Sequence, residues 1–197
     1  MKKRYYFIIG ILLISFIFLT YLVVNDQTTN FDNAIYNFIF NRNNILDFYF
    51  INITKLANTI PVICIVIVLL LLIQDKTRYI LGIATITTVL SNQGIKHLIQ
   101  RVRPEHIKLI KQGGYSYPSG HTMISIALYG FIIYYVLKHI ENIYLKIILV
   151  ILLTLLIISI GLSRIYLGVH YPTDVLGGYL LSIPILILVI KGVEKYD

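Results

Sequence analysis

Charge is the first thing this chain is short of. Only 13% of its 197 residues are charged, 57% are hydrophobic, and the mean hydropathy is +0.80. That is too apolar for a soluble domain. Cysteine is nearly absent: Cys64 stands alone in an apolar run, which excludes an intramolecular disulfide and a cysteine-built metal site. Acidic residues number 9 against 17 basic ones, a formal net charge of +8. The basic residues nevertheless fall in short segments, with no long basic run or basic amphipathic helix, so nucleic acid is not the expected partner and anionic lipid is. Tryptophan is missing altogether, and the 16 tyrosines take its place near the ends of apolar runs, as at Tyr5, Tyr6, Tyr21, Tyr79, Tyr144, Tyr166 and Tyr171. Repeats and low-complexity linkers are also lacking.

Long apolar runs make up most of the rest. They lie near Tyr5–Val24, Ile53–Ile73, Tyr79–Leu98, Thr122–Leu137, Leu145–Ser163 and Thr173–Ile190, separated by the polar stretches Asn25–Asn44, Gln74–Arg78, Gln100–Tyr117, Lys138–Asn142 and Arg164–Pro172. Each run approaches the length that crosses a bilayer. The expected fold is all-α: a six-span transmembrane helix bundle over residues 1–197, read as a single domain with both termini cytoplasmic. The second run carries Lys55, Asn58 and Pro61, where irregular backbone is expected. The first follows Lys2-Lys3-Arg4 but has the length of a full span and no small-residue cleavage site before Asn25-Asp26, so it reads as an uncleaved anchor.

Orientation follows from the basic residues. With Lys2, Lys3 and Arg4 inside, Lys76, Arg78, Lys138, Lys146, Lys191 and Lys195 share their side, nine of the 17 basic residues. The other eight fall outside, three of them Lys96, Arg103 and Arg164. Those three belong to motifs with their own reason for charge, and without them the ratio is nine to five.

The motifs are three. Lys96 is followed after six residues by Arg103-Pro104; then comes Pro118-Ser119-Gly120-His121; and Ser163-Arg164 is followed after five residues by His170 and after three more by Asp174. Six spans with the N-terminus inside put all three at span ends on the outer face, whereas miscounting one span would separate His121 from His170. Ser119 suits a helix N-cap, leaving the backbone N–H groups of the next turn free for an anion. Pro172 suits the first turn of the last span. Lys96 and Arg164 sit at outgoing helix ends, where cations are favoured. Lys96 and Arg103 share a face if their helix runs that far. His170 and Asp174, four apart, are spaced for the carboxylate to accept from one ring nitrogen and set the tautomer.

In all eleven positions these motifs resemble the three-part signature of the type 2 phosphatidic acid phosphatase superfamily, integral membrane lipid phosphatases that share their site with vanadium haloperoxidases. The resemblance implies a metal-independent phosphatase acting on a lipid phosphate or diphosphate through a phosphohistidine, without a cofactor. It implies that His170 is the nucleophile, Asp174 its orienting carboxylate and His121 the acid that protonates the departing oxygen. Lys96, Arg103, Ser119, Gly120 and Arg164 would form the phosphate cradle, with no metal. Three cations and helix-start N–H groups supply the charge compensation that phosphoryl transfer needs. Vanadate inhibition and a bell-shaped pH profile follow from these roles. Phosphatidylglycerol phosphate, undecaprenyl diphosphate and phosphatidic acid all remain open as substrates, at a site on the outer face of the plasma membrane.

Taken singly, each residue has a plainer reading. A boundary histidine is usually a packing residue, Lys96 can snorkel, Arg103 and Arg164 can anchor at the interface, and Ser119 can simply cap. The pattern as a whole outweighs those readings. His97, His106 and His139 match no motif and read as surface or interface residues. Glu105, Lys108 and Lys111 read as a solvated loop, and Asp32, on a possible interfacial helix, receives no role. A transporter is disfavoured because the charges sit at span ends and not at a broken midplane; a non-catalytic lipid-phosphate binder would have no need of both His170 and His121. Nothing in the sequence bears on the oligomeric state.

Overall fold

The structure, a computed structural model, describes residues 2–40 and 43–195, with Lys2 and Lys3 traced by backbone alone; Arg42, counted above among the outer basic residues, lies outside the described residues. Among those residues every regular element is helical: α1 Lys2–Val24, α2 Thr29–Ile39, α3 Asn44–Lys55, α4 Thr59–Leu72, α5 Thr77–Ile99, α6 Gly120–Ser125, α7 Phe131–His139, α8 Ile143–Tyr166 and α9 Pro172–Glu194. A π turn, Ile126–Gly130, joins α6 to α7, making one continuous run.

Local chemistry sets the ends. Asn43 accepts from the N–H of Ile45 at 2.8 Å to start α3, and Asn142 accepts from Tyr144 and Leu145, each at 3.0 Å, to start α8. Gln100 stops α5 by turning left-handed (φ 52°), its N–H returning to the carbonyl of Lys96 at 2.9 Å.

Four helical runs, Arg4–Val24, Gly120–His139, Ile143–Tyr166 and Pro172–Glu194, are long and apolar enough to cross a membrane. The pair α3 and α4, bent by 49° at a short break, passes as a fifth. The break falls at Leu56–Asn58, inside the run that Lys55, Asn58 and Pro61 had marked as irregular. Helix α5 is 23 residues long but not apolar enough to qualify. Its sequence is interrupted by Thr85, Thr87, Thr88, Ser91, Asn92 and Gln93.

Helix α9 is the centre of the bundle. Of its most apolar stretch 56% is buried, against 17% for α1 and for α8, which therefore present apolar faces outward. Ile14, Ile17 and Phe18 on α1 and Ile151, Leu152 and Leu155 on α8 are exposed, the pattern of a surface solvated by hydrocarbon. Inside, Ile80, Leu81 and Ala84 of α5 pack with Leu128, Phe131, Ile157, Ile160 and Leu186. α9 also touches α1, α5 and α6. Gly177 lets it come close to the loop before α6, because a Cβ there would lie 2.6 Å from the Tyr117 ring. Tyr117 in turn stacks on Phe16 of α1 and shares a 2.9 Å hydrogen bond with Thr20.

Candidate active site

The spacing of the third motif has a mechanical cause. After Arg164 the chain makes one tight turn and returns over it: Leu167 N–H donates to the carbonyl of Ser163 at 2.9 Å, while Val169 and His170 donate to the carbonyl of Arg164 at 3.3 and 3.1 Å. Gly168 makes the turn possible, with φ +70° and a Cβ position only 2.3 Å from the carbonyl oxygen of Ile107. His170 is thereby held at the mouth of α9, 2% exposed.

His170 Nδ1 lies 3.2 Å from Asp174 Oδ2 and its Nε2 lies 3.1 Å from Arg103 Nη1. Arginine only donates, so Nε2 is the accepting nitrogen, and Nδ1 carries the proton that Asp174 accepts. This tautomer leaves the lone pair on Nε2. Burial pushes His170 down to about 3; Asp174 opposes the shift, and the charges of Arg164 and Arg103 add to it. The ring is therefore neutral at physiological pH.

Asp174, wholly buried at the third position of α9, accepts from the N–H of Tyr171 at 2.8 Å, from Ser116 Oγ, and from Arg101 Nη1 at 2.7 Å. Arg101 also donates to Thr173 Oγ1 at 2.8 Å, to Thr28 Oγ1 at 3.1 Å and to Asp32 Oδ2 at 2.8 Å, and its guanidinium covers the Tyr171 ring at 4.0 Å. Asp32, fully buried on α2, reaches α9 as well, accepting from the N–H of Thr173 at 2.9 Å and from its hydroxyl at 2.8 Å. Although burial opposes it, Asp174 and Asp32 hold Arg101 above its ordinary range. Asp32, left without a role by its sequence, and Arg101, two residues from Arg103, thus form the far end of a chain Asp32–Arg101–Asp174–His170. An acidic residue on an otherwise amphipathic helix was the only sequence signal for this pairing.

The cations are arranged around the same point. Arg103 donates to the carbonyls of Gly113, Gly114, Tyr115 and Val169 at 3.1, 2.9, 3.2 and 2.6 Å. Lys96 donates to Tyr115 O and, at 3.3 Å, to Ser116 O. The two converge on Tyr115 O although α5 ends at Ile99, so the expected shared helical face is replaced by a loop that folds back on the helix. Arg164, 0% exposed, donates to Thr54 Oγ1 at 2.7 Å and to Gln112 Oε1 at 2.9 Å; its Nε has no hydrogen-bond partner among the described residues.

Ser119 is the N-cap of α6, its hydroxyl accepting from Thr122 N–H at 3.5 Å and from Thr122 Oγ1 at 3.0 Å. Its own N–H donates to the carbonyl of Asp174 at 3.0 Å, tying the second motif to the third. His121 sits in the first turn of α6 and meets Asn58 Oδ1 at 2.8 Å, across the break between α3 and α4. Lys96, Arg103, Gly120, His121 and His170 line one cavity of about 640 Å³; Ser119, Arg164 and Asp174 lie behind its wall. Five of the eight predicted site residues thus line one void, and Ser119 and Asp174 adjoin residues that line it. Arg164, the eighth, is joined to the void through Gln112, which lines it.

His97 lines the cavity, while His106 stacks on Tyr36 at 3.7 Å and His139 pairs with Asp75 at 3.0 Å, both away from it. Glu105, Lys108 and Lys111 are exposed and do not line it. Among the described residues no group of three or more His, Cys, Asp or Glu side chains is disposed to hold a metal.

Comparison with known proteins places the chain in a family. The family model of the PAP2 superfamily matches residues 77–196. The chain belongs to that superfamily. It is 37% identical over 110 residues to phosphatidylglycerophosphatase B of Bacillus subtilis, a match spanning 55% of this chain and about half (54%) of that protein. It is 27% identical over 198 residues to an undecaprenyl-diphosphatase of Sulfolobus acidocaldarius, covering 92% of this chain and 88% of the relative. Among solved structures, the transmembrane PAP2 type phosphatidylglycerolphosphate phosphatase of Bacillus subtilis superposes with a TM-score of 0.85 at 28% identity, over 96% of this chain and 97% of that one. Aquifex aeolicus LpxE follows at 0.67 and 26%, over 80% and 93%. The PAP2 superfamily is a family of lipid phosphatases, hydrolases of phosphate esters, and the resemblance read from the motifs stands.

Proposed function

We propose that this PAP2 protein removes the terminal phosphate from a membrane lipid phosphate or diphosphate by way of a phosphohistidine. The observation that carries the reading is the donor-only contact of Arg103 at His170 Nε2, which leaves the lone pair on the nitrogen turned to Arg103, both residues lining the cavity.

In the forward step Nε2 attacks phosphorus, the bond to the lipid oxygen breaks, and His121 gives that oxygen a proton. Arg103 turns from Nε2 to the equatorial oxygens as the phosphate enters, joined by Lys96 and the N–H groups at the start of α6, while Arg164 adds its positive charge from behind the wall. Asp174 stabilises the imidazole as positive charge develops. In the return step water attacks phosphorus, passes a proton to His121, and frees Nε2.

Counting α5 as a span, with the bent α3–α4 pair as another, gives six, an even number that returns the chain to its starting side. The basic residues then favour both termini in the cytoplasm. The three motifs fall on the outer face of the plasma membrane in that topology. The test is phosphate release from phosphatidylglycerol phosphate and undecaprenyl diphosphate by detergent-purified protein in excess chelator, wild type against His170→Ala. Release by wild type and loss in the variant is the expected result; equal release by the variant would remove His170 as nucleophile.

A further inference from the structure

Asp32 reaches the site from a helix that the three motifs leave out, and the rest of that helix is built for a surface. Around the axis of α2, at about 3.6 residues per turn, three faces follow one another. Asn30, Asn33 and Asn37 form a polar, exposed face; Ala34, Phe38 and Phe31 form an apolar face that is also exposed; Asp32 and Tyr36 form the buried one. The apolar stripe therefore lies between the polar face and the face turned to protein. Phe38 is 86% exposed, the highest value of any large apolar side chain among the described residues, and Phe31 is 48% exposed.

Depth decides what covers the stripe. The buried face packs on the ends of two spans: Tyr36 clusters with Ile165, next to last in α8, and with Val175 in the first turn of α9, while Asp32 accepts from Thr173, the second residue of α9. Such ends mark where a span leaves hydrocarbon for headgroups. The elements before and after α2 in the chain also turn apolar side chains outward, Phe18, Tyr21 and Val24 on α1 and Ile45 and Phe48 on α3. A protein partner has no such surface leading to it on either side; a bilayer does. α2 carries no Lys or Arg, so its attraction is for the apolar side of the headgroup layer and not for anionic charge.

We propose that α2 docks in the lipid headgroup layer through Phe31, Ala34 and Phe38, and that this seating holds Asp32 in place behind Arg101 and Asp174. The link to catalysis rests on the phosphatase reading. Asp32 shares one 11-residue helix with the stripe, so a tilt or lift of α2 draws its carboxylate away from Thr173 and from Arg101 Nη2, now 2.8 Å distant. Arg101 Nη1 holds Asp174 at 2.7 Å, and Asp174 sets the tautomer of His170. Asp32 is thus a positioning residue, and the bilayer is part of what positions it. The surface that presents the lipid substrate also aligns the site that receives it.

The chain has no tryptophan, so an indole introduced on α2 is the only one in the protein. F38W, on the apolar face, and N37W, on the polar face, are compared in vesicles of equal parts phosphatidylglycerol and phosphatidylcholine, the latter with or without bromine on its acyl chains. The expected result is quenching by brominated lipid severalfold stronger in F38W than in N37W. Equal quenching would overturn the docking. So would short-wavelength emission from F38W without quenching, which would put a second copy or another protein on the stripe. In bromine-free vesicles, kcat for phosphate release from phosphatidylglycerol phosphate should fall about fivefold in F31S/F38S with KM unchanged, and F31L/F38L should match wild type. The serine pair should add no further loss in a D32N background, because both changes act through one carboxylate. An unchanged kcat, an equal fall in the leucine variant or an additive fall with D32N would overturn the link to Asp32. Wild type without phosphate release would overturn the phosphatase reading and that link together, while the quenching comparison still decides the docking.

Discussion

The two histidines of the site are held in opposite ways. His170 is almost wholly buried, with Asp174 and Ser116 facing one ring nitrogen and Arg103 the other, and its backbone is tied to Arg164. His121 is part-exposed to the cavity and among the described residues has a single side-chain hydrogen-bond partner, Asn58, at a bend between two helices. The difference matches the proposed tasks. A nucleophile must present one lone pair in line with phosphorus, so its tautomer and direction are over-determined. An acid that follows a departing oxygen, and then meets water, needs access and one weak tether.

Five substitutions would break or sharpen this contrast. The largest effect is expected from His170→Ala, a loss of about 10⁴-fold or more in phosphate release with no dependence on the leaving group. His121→Ala should cost about 10²–10⁴-fold on a lipid substrate but much less on an aryl phosphate, whose leaving group needs no proton; equal losses on both would contradict the acid role. Asp32→Asn and Arg101→Leu should lower kcat by about 10–100-fold with little change in KM, because both act on the imidazole through Asp174. They should also lower the melting temperature, since breaking a buried charge network costs about 3–5 kcal/mol. Asn58→Ala should be mildest, about threefold in kcat for phosphate release from a lipid substrate.

Acid sharpens the contrast without mutation. His170 is held at about 3 in the folded protein against an ordinary 6.5. Between those values the unfolded chain binds a proton that the folded one does not, so this group's contribution is complete above pH 6.5 and is lost as pH falls toward 3. Thermal melts of the detergent-solubilised protein should weaken through that window, and His170→Gln should weaken less. The acid limb of activity due to His170 is correspondingly displaced far below neutrality.

Legibility varied by residue. The cap at Ser119, the start of the last helix at Pro172 and the Asp174–His170 contact are short-range consequences of neighbouring residues, and each could be read directly. The irregularity at Lys55–Pro61 was readable too, but its purpose was not: the break carries Asn58 to His121, 63 positions away in the chain. Lys96 and Arg103 meet for a reason that helical spacing does not supply, because Gln100 ends α5 between them. Asp32 and Arg101 gave no pattern at all, since they are 69 residues apart and pair only when α2 folds against the start of α9.

Sequence alone determined that this chain is a helical membrane protein, because apolar run length and caps act over a few residues, and its motifs, through their resemblance to the PAP2 signature, named eight side chains that the structure gathers at or behind the wall of one cavity. The tertiary structure decided which imidazole nitrogen keeps its lone pair and what holds Asp174 from behind. Those depend on contacts between helices distant in the chain, where direction and burial are set by packing.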